Sequence, residues 1–343
     1  MPGNFDTYKM VQKIEERKAP LPYFLNRFFK DIIEFDTEEI MFDYVLGERR
    51  MAPFVSPMVQ GKVMRDKGST MKSFRPAYVK PKHVVEPGKA MKRLPGESLG
   101  GSLSPEQRKQ LKIVENFVKE DEMIDNRLEW MAIQALKNGA VVVQGEDYPE
   151  KTVDFGRDPG LSIALAGVAL WSDSGSNPIT DLEDTSTAAS KAEHGAPLTE
   201  VYMDPDSYKA FRSHAIVRDL LDTNIRGSNA NISREPQTFG TNEDPILMGR
   251  IGVFNIYVDA RQYEDETGSM VPYLASGEVL MLSEIVAGAS CFGAILDDDV
   301  MRAMKSYPKT WVSQDPSARY TMTQSAPLPV PRRTNASALL SVL

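Results

Sequence analysis

Few residues in this 343-residue chain have the types and spacing that chemistry needs. Lys67-Gly68-Ser69-Thr70 holds the ingredients of a phosphate loop. That motif runs glycine, lysine, then Ser/Thr, with a second glycine upstream, so that backbone N–H groups and the lysine converge on one phosphate. The order here is wrong. No G-x-G-x-x-G follows a strand pattern, and no G-x-S-x-G elbow occurs. His83, His194 and His214 are scattered without an H-E-x-x-H arrangement, and the single cysteine, Cys291, has no neighbour at metal-ligand spacing. Asp297-Asp298-Asp299 offers the oxygen donors a hard cation takes. Three acids also suit the positive end of a helix, and a short helix beginning there is the expectation. These residues point to no catalytic site, metal or cofactor, and the enzyme reading is left without a motif.

Charge says more. The chain carries a formal −8, which repels phosphate and argues against a dedicated DNA-binding protein. Within it, residues 61–95 hold seven lysines, three arginines and two acids, a local +8 that leaves −16 for the remainder. This stretch alternates at Gly61–Lys67, can turn at Gly68-Ser69-Thr70, and returns extended from Phe74 to Val85. Pro76 and Pro81 in the returning half suit an edge or a free ribbon rather than a central strand. A basic ribbon of this kind can be a solvated loop, or can lie across an acidic surface of another copy. It can also grip nucleic acid through 61–93, with Phe74 and Tyr78 to stack on bases. The nucleic-acid reading predicts tight, steeply salt-dependent DNA binding by the isolated subunit, and the contact between copies predicts feeble binding.

The compartment follows from small signs. One cysteine allows no intrachain disulfide. The opening Met1-Pro2-Gly3-Asn4-Phe5-Asp6 lacks a basic-then-apolar leader. The longest apolar runs, Leu161–Trp171 and Ile285–Leu296, are about 11 or 12 residues, too short to span a bilayer. A soluble protein of a reducing compartment, with no membrane partner, is expected.

The element that must position everything else is Ser104–Gly139. Ser104-Pro105-Glu106-Gln107 is a helix start with a capping-box partner in place, and Lys137-Asn138-Gly139 supplies a cation and a glycine stop. Between them Leu111, Val114, Phe117, Ile124, Leu128, Met131 and Ala135 recur at spacings of three, four or seven and are expected on one face. The other face is expected to carry Glu115, Glu120, Asp121, Glu122, Asp125 and Glu129. About 34 residues at 1.5 Å each make a rod of roughly 50 Å. Before it, Phe24, Phe28 and Phe29 lie near an end, and fit an arm packed on its own core or on a neighbour. After it come a hairpin over 140–155, a helix from Pro178 to Ala192, a strand at 198–203 and a helix capped by Asp204. A long loop over 226–245, strands at 251–258, 279–283 and 289–296, a strand at 318–324 and a proline-rich tail complete the chain.

Several segments carry a resemblance. Phe54-Val55-Ser56-Pro57-Met58-Val59-Gln60-Gly61, Ala77-Tyr78-Val79-Lys80-Pro81-Lys82-His83 and Arg93-Leu94-Pro95 resemble the lambda-type major capsid protein family of tailed bacteriophages. So do Tyr307-Pro308-Lys309-Thr310-Trp311-Val312, Asp315-Pro316-Ser317-Ala318-Arg319 and Met322-Thr323-Gln324-Ser325-Ala326-Pro327-Leu328. The likeness runs in order along essentially the whole chain and is least at 223–245.

The resemblance implies an α+β, Hong Kong 97-like capsid fold. Its parts would be an N-terminal arm at 1–54, an E-loop at 55–101, a P-domain at 102–197 with a spine helix at 105–138, and an A-domain at 198–304. Residues 305–343 would return to the P-domain beside 140–155 and form the C-terminal tail. It implies a structural protein forming hexamers and pentamers of an icosahedral head around double-stranded DNA, without sequence-specific contact. The implied partners are a scaffold during assembly, a portal at one vertex and a decoration protein, and the implied location is the virion, assembled in the host cytoplasm. In that fold the E-loop reaches over a neighbour. Lys62, Arg65, Lys67, Lys72 and Arg75 are then expected at subunit contacts, with Glu115, Glu122, Asp125 and Glu129 of the spine to receive them. Some relatives cross-link through Lys–Asn isopeptide bonds, and none is expected here. An encapsulin-like compartment on the same fold is the alternative, distinguished by a cargo enzyme in place of a genome.

Overall fold

The computed structural model describes residues 22–37, 39–45, 69–93, 97, 103–145, 148–219, 244–265, 267–315 and 317–343. In chain order, a short helix α1 (Tyr23–Phe28) leads to strands β1 (Asp31–Glu34) and β2 (Ile40–Val45). Then come β3 (Ser69–Phe74), β4 (Lys82–Val85) and a one-turn helix α2 (Pro87–Met91). The long helix α3 (Pro105–Asn138) runs into the hairpin β5 (Ala140–Gly145) and β6 (Tyr148–Asp154). Next are β7 (Ser162–Ala164), α4 (Pro178–Lys191), β8 (Glu200–Met203) and α5 (Pro205–Ser213). The hairpin β9 (Ile246–Ile251) and β10 (Phe254–Val258) precedes β11 (Gln262–Glu264), β12 (Met270–Pro272) and β13 (Glu278–Leu282). The chain closes through β14 (Ala289–Phe292), β15 (Ala294–Asp297), β16 (Val300–Ala303), β17 (Tyr307–Ser313), β18 (Ala318–Gln324), β19 (Pro327–Val330) and β20 (Ser337–Ser341).

Helix α3 forms where its caps say it should. Ser104 Oγ accepts from Gln107 N at 3.2 Å, and Gln107 Oε1 accepts from Ser104 N at 2.9 Å, so the capping box is complete. At the other end Gly139 takes φ +65, and its N–H returns to Ala135 O at 3.1 Å. Arg157 lies against Gly139 and donates to Leu136 O at 3.0 Å, a cation at the negative end of the helix, although burial pulls its guanidinium down to about 10. The expected single apolar face holds only for the second half. Ile124, Leu128, Met131 and Ala135 are buried, but Val114 is 61% exposed, and Asn116 and Glu120 take the inward positions. Ten residues separate Val114 from Ile124, an offset of about 80° around a 3.6-residue helix, which puts Val114 at the edge of the stripe rather than at its centre.

Three sheets surround this rod. The largest has the order β7-β20-β13-β8-β10-β9, a second β1-β14-β19, and a third β17-β18-β4. Leu280, Leu282, Cys291, Leu328 and Val330 join the α3 residues in one core, and Trp171, Leu182, Val201 and Leu340 lie in a second.

Several expectations change. The strand expected at Gly61–Lys67 lies outside the described residues. The partner of β3 is β2, from Ile40↔Phe74 to Val45↔Ser69, so the ribbon's described base borrows a strand from the arm. The expected run Phe74–Val85 is broken, β3 ending at Phe74 and β4 starting at Lys82, with both prolines between them. Strand β18 pairs with β17 and β4, which occupy both of its edges, and not with 140–155, where β5 and β6 pair with each other. Asp297 ends β15 and Asp298-Asp299 make the turn into β16, rather than a helix start: Asp297 Oδ1 accepts from Asp299 N and folds the backbone back. The proline-rich tail is two buried strands. Pro327 and Pro329 are tolerated because β19 lies at a sheet edge, bonded only to β14. Of the loop expected over 226–245, all but 244–245 lies outside the described residues.

Where α1 leaves for β1 the packing leaves no slack. A Cβ on Gly288 would sit 2.4 Å from Phe29 Cδ1 and 2.9 Å from Phe28 O, while Gly288 N donates to that same Phe28 O at 2.8 Å. Replacing Gly288→Ala is expected to cost about 1–3 kcal/mol of stability, read as a fall in the urea midpoint at unchanged m-value.

Candidate functional site

Helix α3 carries or receives three buried carboxylates, and each ties it to a different part of the chain. Near its start, Glu97 takes a two-point contact from Arg108, at 2.9 Å from Nε and 2.8 Å from Nη2, and also accepts from Leu103 N. That pair pins the end of the basic ribbon to the helix. Three turns on, Glu120 accepts from Thr321 Oγ1 and Thr323 Oγ1, both at 2.8 Å, and lies 3.0 Å from His83 Nδ1. Strands β18 and β4 are thereby laid on the helix in one register. Further along, Glu129 accepts from Phe24 N, Leu25 N and Arg261 Nη1 at 2.9, 2.8 and 3.0 Å. Burial pushes the Glu129 carboxyl up, against Arg261 and the two backbone donors, which favour its charged form.

The opposite side of the β4–β18–β17 sheet is cationic and aromatic. Trp311 stacks on Tyr320 at 5.6 Å, and Lys82 Nζ lies 5.1 and 4.2 Å from the two ring centroids. Beside it, Lys309 Nζ meets Asp297 at 2.7 Å and Asp299 at 2.8 Å. Hydrogen bonds from Lys309, Gln324 and the Asp299 N–H hold the Asp297 carboxyl down at about 2. Among the described residues no group of three or more His, Cys, Asp or Glu could hold a metal ion, and no helix is long and apolar enough to cross a membrane.

The sequence-expected contact residues fall unevenly on this frame. Lys62, Arg65 and Lys67 lie outside the described residues. Lys72 is in β3 opposite Phe42, and Arg75 follows that strand on an exposed site. On the spine, Glu115 pairs along the helix with Lys112 and Lys119, and Asp125 pairs with Lys305 at 3.1 Å. Both remain about one-third exposed, and Glu122 is half-buried. Glu129 does not face outward: it is fully buried and bonded within its own chain, a correction that also applies to Glu120. Helical spacing placed both acids with the solvated ones because the partners that draw them inward are remote in sequence. Phe24, Phe28 and Phe29 are buried in the subunit's own core. The described ribbon, 69–93, lies on its own chain: Phe74 packs on Phe155, and the Tyr78 hydroxyl donates to Ala294 O at 2.6 Å and accepts from Leu296 N at 2.9 Å. Both residues are half-buried. Arg108, Glu97 and Arg261 were missed, since nothing local marks an ion pair between distant segments.

Comparison with known proteins gives one answer. The family described as phage major capsid protein E matches residues 6–342. The major capsid protein of Escherichia phage N15 is 34% identical, over 94% of this chain and 94% of its own length. The major capsid protein of Escherichia phage lambda is 31% identical, over 94% of this chain and 95% of its own length. A crystal structure from an E. coli CFT073 prophage, assigned as a capsid protein, superposes with a TM-score of 0.70 at 26% identity, covering 98% of this chain and 97% of that one.

Two outcomes follow from the site's geometry. Glu120→Ala strips Thr321 and Thr323 of their acceptor and is expected to destabilise the chain by about 1–3 kcal/mol, measured by urea unfolding. Because Asp297 is held at about 2, below its ordinary 3.8, its contribution is present above pH 3.8 and is lost as pH falls through 2. Lys309→Met is expected to flatten that part of an acid-unfolding profile.

Proposed function

The chain belongs to the phage major capsid protein E family, and on that premise we propose that it builds the wall of a tailed-phage head as its repeating subunit. Its role is structural, its place is the virion, and its first partner is its own copy. The observation that carries this reading is a likeness running end to end through the described core, the spine helix and the C-terminal strands alike. Copies arrange as hexamers and pentamers of a closed icosahedral shell around double-stranded DNA. A scaffold during assembly, a portal at one vertex and an outer decoration protein are the further partners, and the host cytoplasm is the place of assembly. We assign the chain no catalytic step.

The working division is an arm at 1–54, an E-loop at 55–101, a P-domain at 102–197, an A-domain at 198–304 and a returning segment at 305–343. Strand β2 of the arm serves as the ribbon's base. Lys62, Arg65, Lys67, Lys72 and Arg75 meet a neighbour's negative surface, for which Glu115, Glu122 and Asp125 keep partly solvent-facing carboxylates. The +8 ribbon against a −16 remainder supports this, because complementary potentials fix register between copies more than they add affinity. A net negative subunit also suits a container whose DNA must move, since a wall that held phosphate tightly would hinder entry and exit.

Reversing Arg65 and Lys67 to Glu is expected to abolish regular shells while leaving the subunit soluble, as seen by negative-stain microscopy and sedimentation. Normal particles from that variant would remove the charge argument. Mature particles are expected to run as a single band on denaturing gels, and a covalent ladder would contradict the absence of cross-links.

A further inference from the structure

Two surface features at opposite ends of strand β18 have no counterpart on their own chain. One is a groove of about 310 Å³ where α2, the start of α3 and the β17–β18 hairpin come together. Val85, Pro87, Met91, Pro105 and Val312 form its apolar wall, and it stays open, with Met91 70% exposed and Val312 52%. Lys109 and Arg319 line it too. Arg319 Nη1 donates to Thr310 Oγ1 at 3.3 Å, and its Nε has no acceptor among the described residues. Neither cation meets a carboxylate of its own chain there: Glu86 lies 3.5 Å from Lys89, and Glu106 is in the first turn of α3, where the helix end favours it. The other feature is the β15–β16 hairpin. Leu296 and Met301 are paired across it, 55% and 76% exposed. Asp297 and Asp299 are met by Lys309 Nζ, whereas Asp298 at the turn is exposed and has no partner among the described residues. Gln324 Nε2 donates to Asp297 Oδ2 at 2.8 Å, which holds the hairpin at the end of β18 away from Ala318. Six residue steps of about 3.4 Å put roughly 20 Å between those ends, so the hairpin does not reach its own groove.

A convex apolar tip with an unmatched acid and a concave apolar groove with two unmatched cations are complementary in shape and in charge. Other exposed apolar residues fit the groove less well. Val114 and Val118 lie along the side of a long helix, too broad for it, and Ile246 and Met248 flank Arg250, which has the sign of the groove's own cations. We propose that the β15–β16 hairpin of one copy seats in this groove on a second copy. Leu296 and Met301 then pack on Met91 and Val312, and Asp298 meets Lys109 and Arg319. This goes beyond the shell-forming reading above and rests on it. Because tip and groove are different patches, the contact is heterologous, and successive copies close into a ring where their rotation allows. Methionine on both sides suits copies that meet at more than one angle, as hexamers and pentamers require, since an unbranched side chain repacks to fill an irregular gap.

The test uses full-length chains, in which the single native cysteine, Cys291, is buried. Met91→Cys chains and Met301→Cys chains are co-assembled in equal amounts, oxidised with diamide and run on non-reducing denaturing gels. Each chain carries one half of the contact, so the expected disulfide forms only between copies. The mixture is expected to give about 10-fold more dimer than either variant alone, because a disulfide needs the two Cβ atoms close together. A mixture of Met91→Cys with Met270→Cys, an exposed methionine on another hairpin, is expected to give no such gain. A charge swap reads the same contact without oxidation. Lys109→Glu is expected to cut the yield of particles about 10-fold, by sedimentation and negative-stain microscopy, and Asp298→Lys added to it to restore them. Regular particles without dimer from the first mixture overturn the proposal. So do equal dimer from a single variant or from the Met270→Cys mixture, and a charge swap that restores nothing. If the parent itself forms no particles, the shell-forming reading falls and takes this inference with it.

Discussion

A carboxylate buried on a helix has to be met, and that requirement organises this subunit. Glu120 and Glu129 are fully buried on a rod whose neighbours along the sequence cannot reach them. Leaving either unpaired would cost several kcal/mol, so the chain must bring donors from elsewhere. It does so from opposite ends: His83, Thr321 and Thr323 come to one, and Phe24, Leu25 and Arg261 to the other. The helix is thereby a jig. Its two acids decide which strands lie on it and in what register, and apolar burial at Ile124, Leu128 and Ala132 supplies most of the attraction.

The same logic explains how a ribbon with so much positive charge can be part of a folded body. Its described part is fastened through β3 on β2, through Tyr78 on Ala294 and Leu296, through His83 and β4 on β18, and through Glu97 on Arg108. Lys82 is held over Trp311 and Tyr320, where ring quadrupoles take the place of an acid. The base of the ribbon therefore belongs to its own subunit. Lys62, Arg65 and Lys67 lie outside the described residues.

Some of this was legible from single segments. The bounds of the spine helix follow from Ser104, Gln107 and Gly139 because capping involves groups within four residues of one another. The same holds for α5 behind Asp204 and for the inward Leu182 and Ala189 of α4. The charge asymmetry and the resemblance to capsid proteins were also readable, the second because its blocks lie in order along the chain. By contrast, the acids of the spine were all placed on the solvated side. Glutamate at helical spacing looks the same whether it faces water or a threonine two hundred residues away.

Residue type, local spacing and net charge thus determined where the rod begins and ends, that one stretch is basic in an acidic chain, and to which family the whole belongs. Only the tertiary structure decided that β18 pairs with β4 rather than with 140–155, that the tail is β19 and β20 in the core, and that Glu129 faces inward. The physical reason is range. Caps and turns are satisfied by neighbours in sequence, whereas strand partners and buried charges are satisfied by whatever the collapsed chain brings alongside, and no local pattern records that choice.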